Sequence, residues 1–405
     1  MTPTERRASG SLAAIFALRM LGLFLVLPVF ALEARKYPGG DDPALVGLAM
    51  GIYGLTQACL QIPFGLASDR LGRKRTIVAG LLVFAAGSFL AASAGSLAML
   101  VAGRALQGAG AVSAAVTALL ADQTREAVRT KAMAMVGGSI GLVFAVALVA
   151  APPLAARIGL AGLFGLTGAL ALAGIAVVAW AVPPEPARHA AAQRAPVAAL
   201  WKHPDLLRLN AGVFALHTVQ LAMWVAVPGL LVQAGLAKPH HWWVYLPAVL
   251  ASFVVMGAGL FPLERRGHLR AALRASVALV AAVQLGLLLV AWAAPAQGVA
   301  PQVAPAPDAW GIGVLAVLMF VFFCGFNTLE ASQPSLVSRM APAALRGTAL
   351  GVYNTLQSLG LFAGGALGGA VAKFAGPAGL FATTLLLSLA WLALTWGLRP
   401  VGRTR

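Results

Sequence analysis

Apolar runs long enough to cross a bilayer recur along the whole of this sequence, with short polar segments between them. A membrane-spanning helix needs about 20 predominantly apolar residues. Runs of that kind fall at about 11–33, 44–66, 76–95, 97–120, 131–155 and 160–182, and then at about 206–233, 242–263, 269–293, 309–338, 346–372 and 376–398. The first follows Glu5-Arg6-Arg7 and imitates a signal peptide, but Arg19 interrupts it and it is long enough to span, so it reads as a retained first helix. With 60% hydrophobic and 10% charged residues, no water-soluble domain of this length is expected. The lipid bilayer is the partner such a chain requires, and the fold class is an all-α polytopic membrane protein of twelve transmembrane helices.

Two halves are visible. Residues 183–205, with Pro183-Pro184, Pro186, Arg188, His189, Arg194 and Lys202, form the longest polar stretch in the first two thirds of the chain. They read as a cytoplasmic linker between an amino-terminal six-helix half, 1–182, and a carboxyl-terminal six-helix half, 206–405. The halves echo each other. Phe16-Ala17-Leu18-Arg19 followed by Pro28 is matched by Phe214-Ala215-Leu216-His217 followed by Pro228, and Asp69-Arg70-Leu71-Gly72-Arg73 by Glu264-Arg265-Arg266-Gly267-His268. Arg129 with Ala132-Met133 pairs with Arg346 and Ala349-Leu350 at an offset of 217, larger than the earlier ones because the Pro/Ala/Gln segment 294–308 intervenes.

Charge sets the orientation. If both termini are cytoplasmic, the inside segments hold 22 of the 29 Lys and Arg residues and the outside holds 5 (Arg35, Lys36, Arg157, Lys238 and Lys373), with Arg19 and Arg104 inside spans. That bias predicts cytoplasmic amino and carboxyl termini in a cell inner membrane. The net charge of +17 does not indicate nucleic acid, because the basic residues are spread over short loops rather than gathered on a soluble module. Cys59 and Cys324 lie in apolar runs and read as small buried hydrophobes. No metal or other cofactor is expected: His240-His241 stands in an outer loop without further ligands. The zinc pair or nucleophile elbow of a membrane-embedded enzyme is missing too.

Gly65-Leu66-Ala67-Ser68-Asp69-Arg70-Leu71-Gly72-Arg73-Lys74-Arg75 is a charged knot between the second and third spans, and it is expected to form a tight turn at the membrane face. Its pattern resembles the signature between helices 2 and 3 of the major facilitator superfamily of secondary transporters. The resemblance implies two pseudo-symmetric six-helix halves with a substrate path near the midplane. It also implies a conformational latch made of Gly65, Asp69, Arg70, Gly72, Arg73 and Lys74, acting with Asp122 and the start of helix 11. Arg104-Ala105-Leu106-Gln107-Gly108-Ala109-Gly110 resembles the superfamily's R-x-x-Q-G-x-G element, which implies a part for Arg104 in proton coupling.

In the fifth span Gly137, Gly138 and Gly141 lead to Ala151-Pro152-Pro153, where antiporter members end in Gly-Pro. Phe16 to Pro28, Ile52-Tyr53-Gly54-Leu55-Thr56-Gln57, Ile62-Pro63-Phe64-Gly65 and Gly325-Phe326-Asn327 together resemble YajR-type drug-efflux transporters. Some of these carry a soluble carboxyl-terminal domain, and with a sequence that ends at Arg405 its regulatory role is expected to be absent here.

Besides Arg104, the polar residues that stand out inside spans are few: Arg19, His217 and Gln220, Asn327 and Glu330, Asn354 and Gln357. Glu330 is the one acid in mid-span. An acid held away from water is drawn toward its neutral form and exchanges protons nearer neutrality, and histidine titrates there unaided. Arg19, Arg104, His217, Asn327 and Glu330 are therefore the candidates for substrate binding and proton coupling. Arg19, His217 and Glu330 are expected to line one central cavity. The expected function is proton-coupled export of a small amphipathic compound by a monomer, with protons as the second partner. The alternative is uptake or facilitated diffusion of a sugar or similar small solute, which the altered fifth span keeps open.

Overall fold

The computed structural model describes residues 1–185, 203–265, 268–293, 306–342 and 346–398. Pro186, Arg188, His189, Arg194 and Lys202 of the linker, most of the segment 294–308, and Arg266-Gly267 of the echoed turn lie outside the described residues, as do the side chains of Arg129 and Arg346. Among the described residues all regular structure is helical. The helices are α1 (Pro3–Glu33), α2 (Pro43–Leu71), α3 (Arg73–Ala92), α4 (Leu97–Ala109), α5 (Ser113–Asp122), α6 (Glu126–Ala176), α7 (Pro204–Gln233), α8 (Trp242–Arg265), α9 (Leu269–Ala293), α10 (Ala309–Met340) and α11 (Arg346–Trp396).

Ten stretches are long and apolar enough to cross a membrane, α4 with α5 counting as one. Two of the ten are 51 and 50 residues long, too long for a single crossing of about 20 residues. Each is broken once, at Gly159 (φ 65°, ψ −175°) and at Gly376 (φ 66°, ψ −175°). Only glycine adopts such a backbone readily. Each broken helix therefore supplies two spans, giving twelve among the described residues, and the two breaks stand at the same 217-residue offset as Arg129 and Arg346.

Helix ends differ from the apolar runs where polar residues can serve a helix. α1 starts eight residues before its run because Thr2 and Glu5 form a capping box (Glu5 N to Thr2 Oγ1 3.2 Å, Thr2 N to Glu5 Oε2 2.7 Å) with Pro3 in the first turn. Residues 65–75 are not a turn of that length. α2 stays helical through Leu71 and α3 begins at Arg73, so the reversal rests on Gly72 alone, at φ 111°. The fourth span breaks at Gly110-Ala111-Val112, where α3 comes so close that a Cβ on Gly110 would lie 3.0 Å from the Phe84 amide nitrogen.

The chain divides into two compact units, Met1–Asp41 with Ile52–Ala192, and Asp42–Gly51 with Gln193–Arg405. In the first, Leu12, Ile15, Ile77, Leu81, Val116 and Leu119 build a closed core from α1, α3 and α5, completed by Ala132 and Val136 of α6. The carbonyls at the end of the sixth span, which no helical N–H can reach, are taken by side chains. Arg7 donates to Ala181 O (2.9 Å) and Trp180 O (3.1 Å), and Lys74 to Val182 O (2.7 Å). In the second unit Arg270 donates to Leu398 O (2.7 Å) and Arg274 to Trp396 O (3.1 Å), so the twelfth span is capped in the same way. Cations at helix carboxyl ends also meet the favourable pole of the dipole.

Also in the second unit, the small residues of α11 admit close approach. A Cβ on Gly368 would lie 3.2 Å from Ala222 Cα, and one on Gly51 3.2 Å from Phe362 Cα. Just before α2, Asp42 accepts from Lys373 Nζ at 2.8 Å, and this bond holds the Asp42 carboxyl below its usual range.

Candidate functional site

The signature residues gather on one guanidinium. Arg73 pairs with Asp69, donates to Ser68 Oγ at 2.6 Å, and donates from Nε to Asp122 Oδ2 at 3.0 Å. Asp122 is the last residue of α5, so three helices meet here. Gly72 offers no side chain to cap α3. Glu185, just past the sixth span, does so instead, accepting from the backbone N–H of Arg73 (3.2 Å) and of Lys74 (2.7 Å). A carboxylate at a helix amino terminus is favoured by both the free N–H groups and the dipole. Gly65 is buried within α2, and Arg70 is exposed. Of the partners expected for the latch, Asp122 is in contact; of the start of helix 11, residues 343–345 and the Arg346 side chain lie outside the described residues.

Arg19 and Arg104 belong to a second cluster in the same unit. Arg19, 1% exposed, donates to Tyr53 Oη (2.6 Å), Ser113 Oγ (2.9 Å) and Gln57 Oε1 (3.2 Å), and its guanidinium carbon lies 5.5 Å from the Phe84 ring centre. Arg104, also buried, sits 5.1 Å over the Tyr53 ring and donates to Gln107 Oε1 at 2.9 Å. Gln107 in turn donates to Ser88 Oγ at 2.8 Å. The R-x-x-Q-G-x-G spacing follows from this. Arg104 and Gln107 share a helix face one turn apart, and Gly108 leaves room for the backbone of Tyr53, whose carbonyl carbon a Cβ would approach to 2.9 Å.

His217 and Glu330 meet in the second unit. His217 on α7, 3% exposed, places Nδ1 2.9 Å from the Val213 carbonyl and Nε2 3.4 Å from Glu330 Oε2. Gln357 on α11 joins them, its Nε2 lying 2.8 Å from His217 Nε2 and 3.2 Å from Glu330 Oε1. Oε2 of Glu330 is buried, whereas 40% of the side-chain surface remains accessible, so the acid is half anchored and half open. Phe326 closes on the imidazole edge-to-face at 6.0 Å. Asn327 takes no part in this triad, donating to Ser252 Oγ on α8 at 2.8 Å.

The five intramembrane candidates thus fall into one cluster in each unit, with Asn327 beside the second. Sequence reasoning passed over Glu185 and gave Tyr53, Gln57 and Ser113 no role. Tyr53 and Gln57 stand four residues apart on α2, a same-face spacing that could have been paired with a buried cation. Glu185 carries no such signal, being 112 residues from Arg73. Among the described residues no group of three or more His, Cys, Asp or Glu side chains is placed to hold a metal ion. His240 stacks on Trp243 at 4.5 Å, and His241 Nε2 lies 3.2 Å from the Leu236 carbonyl.

Residues 12–365 match the Major Facilitator Superfamily. The chain is similar to the inner membrane transport protein YajR of Escherichia coli K12, with 42% identity over 396 residues, 97% of this chain and 83% of that protein. It is also similar, over a shorter reach, to the class B tetracycline resistance protein of Escherichia coli, with 32% identity over 130 residues, 32% of each chain. Among solved structures the nucleoside transporter NupG shares the fold, with a TM-score of 0.75 at 14% identity over 96% of this chain and 99% of that one. A match across most of the chain, with a relative identical at two positions in five, settles the family: the chain belongs to the Major Facilitator Superfamily and is a multi-pass membrane transporter, not an enzyme.

Proposed function

We propose that this chain is a proton-coupled exporter of small amphipathic compounds that works by alternating access, with the Glu330–His217 pair exchanging the proton. The observation that carries the reading is the Glu330–His217–Gln357 triad, in which the one mid-span acid lies 3.4 Å from an imidazole nitrogen and both touch the same amide. At that distance an N–H proton on the imidazole can be given to, or taken back from, the carboxylate. The stretch shared with a tetracycline resistance protein supports efflux over uptake. Arg19 and Arg104 supply the substrate side of the mechanism, and the Asp69–Arg73–Asp122 cluster is the conformational latch. In this reading residues 1–182 and 206–405 act as the two halves of a monomer, and the name of the relative from Escherichia coli supports an inner-membrane location.

Transport by purified protein in proteoliposomes, over a compound panel with and without an imposed pH gradient, tests the coupling and its direction together. Antiport moves substrate toward the acidic side, because protons run the other way. Symport moves it toward the basic side, and facilitated diffusion ignores the gradient. Uptake of a small solute remains the second reading, favoured by Ala151-Pro152-Pro153 in the fifth span, and movement toward the basic side or indifference to the gradient would establish it.

The 22 to 5 charge bias supports cytoplasmic placement of both termini. A fluorescent reporter that matures only in the cytoplasm, fused after Arg405, is expected to be bright. A dark fusion, with a periplasmic reporter active at the same site, overturns that orientation.

A further inference from the structure

Among the described residues Arg19 is a cation without a counter-charge. Its three hydrogen-bond acceptors are the neutral oxygens of Tyr53, Ser113 and Gln57, and its Nε is buried with no acceptor at all. The described acid side chains of the first unit are engaged elsewhere: Glu5 with Arg125, Glu33 with Lys36, Asp69 and Asp122 with Arg73, Glu185 with the amino terminus of α3, and Asp41 beside Arg35. A second cation, Arg104, leans on the same Tyr53 ring whose hydroxyl Arg19 holds. Proteins bury charge where it is paired, and here two guanidiniums converge on one tyrosine with no carboxylate among the described residues in salt-bridge reach of Arg19.

Resting on the reading of this chain as a small-molecule transporter, we propose that the Arg19 cluster recognises an anionic group of the transported compound, a carboxylate or a similar monoanion. The guanidinium presents Nε and an adjacent NH2 along one edge, the fork that takes a carboxylate through two parallel bonds. Gln57, held through the longest of the three contacts and half-buried, is the group an entering carboxylate displaces. Tyr53 and Ser113 keep the guanidinium in place meanwhile. A compound bearing an ammonium meets repulsion from both arginines, and a neutral amide leaves the Arg19 charge unanswered.

The test uses the full chain in nanodiscs and two probe series, each one carbon skeleton in three forms. These are naphthylacetate, naphthylacetamide and naphthylethylamine, and phenylpropionate, its amide and the matching amine. Calorimetric titration near neutral pH, where the acids are ionised, is expected to show the carboxylate at least tenfold tighter than the amide and the amine weakest. Arg19→Gln is expected to erase the preference, so that carboxylate and amide bind alike in that variant, with Arg19→Lys in between.

An amide or amine binding as tightly as its carboxylate in both series, no carboxylate binding at all, or a preference that survives Arg19→Gln overturns the proposal. If Arg19→Gln does not fold, the wild-type ranking and Arg19→Lys decide. pH-driven transport of amines without carboxylate binding removes this site and leaves the coupling reading intact. A carboxylate preference lost with Arg19 but no response to a pH gradient removes the coupling and leaves the site.

Discussion

Glu330→Gln is expected to reduce gradient-driven accumulation in proteoliposomes to the level seen without a pH gradient, while the protein still inserts and purifies as the parent does. The bonds of the triad say why. His217 Nδ1 faces the Val213 carbonyl at 2.9 Å and so must carry a hydrogen. In the neutral ring Nε2 is then the acceptor, and it takes the Gln357 amide hydrogen at 2.8 Å. A proton arriving on Nε2 sets two donors face to face at that distance, so Gln357 must turn its amide and lets go of Glu330 Oε1, while the new N–H points at Glu330 Oε2, 3.4 Å away. Proton arrival on the pair therefore keeps Gln357 of α11 on His217 of α7 but releases it from Glu330 of α10. Glutamine at position 330 keeps the shape and a donor, as a protonated acid would, but never becomes the carboxylate that draws the proton. Accumulation by the Gln variant that matches the parent would make Glu330 a structural hydrogen-bonding residue and leave the proton to His217 alone.

The membrane architecture was legible because its two determinants are local. A run of about 20 apolar residues has one way to be placed, and the breaks at Gly159 and Gly376 fall where the apolar runs had already been divided. His217 and Glu330 were legible for a different reason: a titratable group in an apolar run stands out by scarcity. Their pairing with Gln357, across 140 and 27 residues of sequence, was not. Grouping Arg19 with them followed from the repeat, which relates positions in the two halves, whereas the bonds of Arg19 go to α2 and α5 within its own unit.

The charged knot was misjudged in shape for a physical reason. Composition says that residues 65–75 cannot lie in hydrocarbon, but a helix in water or headgroups satisfies its backbone as well as a turn does, so α2 runs on to Leu71 and one left-handed glycine makes the reversal. The arginines and lysine that cap the sixth and twelfth spans were counted only as orientation signals. Nothing near Arg7, Lys74, Arg270 or Arg274 in sequence points to carbonyls more than a hundred residues away.

Arg73→Ala is expected to lower the initial transport rate tenfold or more at matched protein content, the largest effect of any single change in the signature. Its guanidinium touches Asp69, Ser68 and Asp122 together, and it lies at the end of α3 that Glu185 fixes in place. The two acid contacts are unequal. Arg73 and Asp69 are each about one-fifth exposed (19% and 20%), so their charge-assisted bond belongs near the usual 1.5 to 3 kcal/mol, about 2 kcal/mol. Asp122, 41% exposed, is screened by solvent and contributes about 0.5 kcal/mol. With about 1.4 kcal/mol per factor of ten, losing both shifts a two-state balance by roughly ten- to a hundredfold. Asp69→Asn should then fall close to Arg73→Ala, and Asp122→Asn within about threefold of the parent. The double variant of Arg73→Ala with Asp69→Asn should be little worse than Arg73→Ala alone, since the two report one interaction. Additive losses in that cycle, or an Asp122→Asn effect as large as that of Asp69→Asn, would mean that the acids act separately and that Arg73 does not join them into a latch.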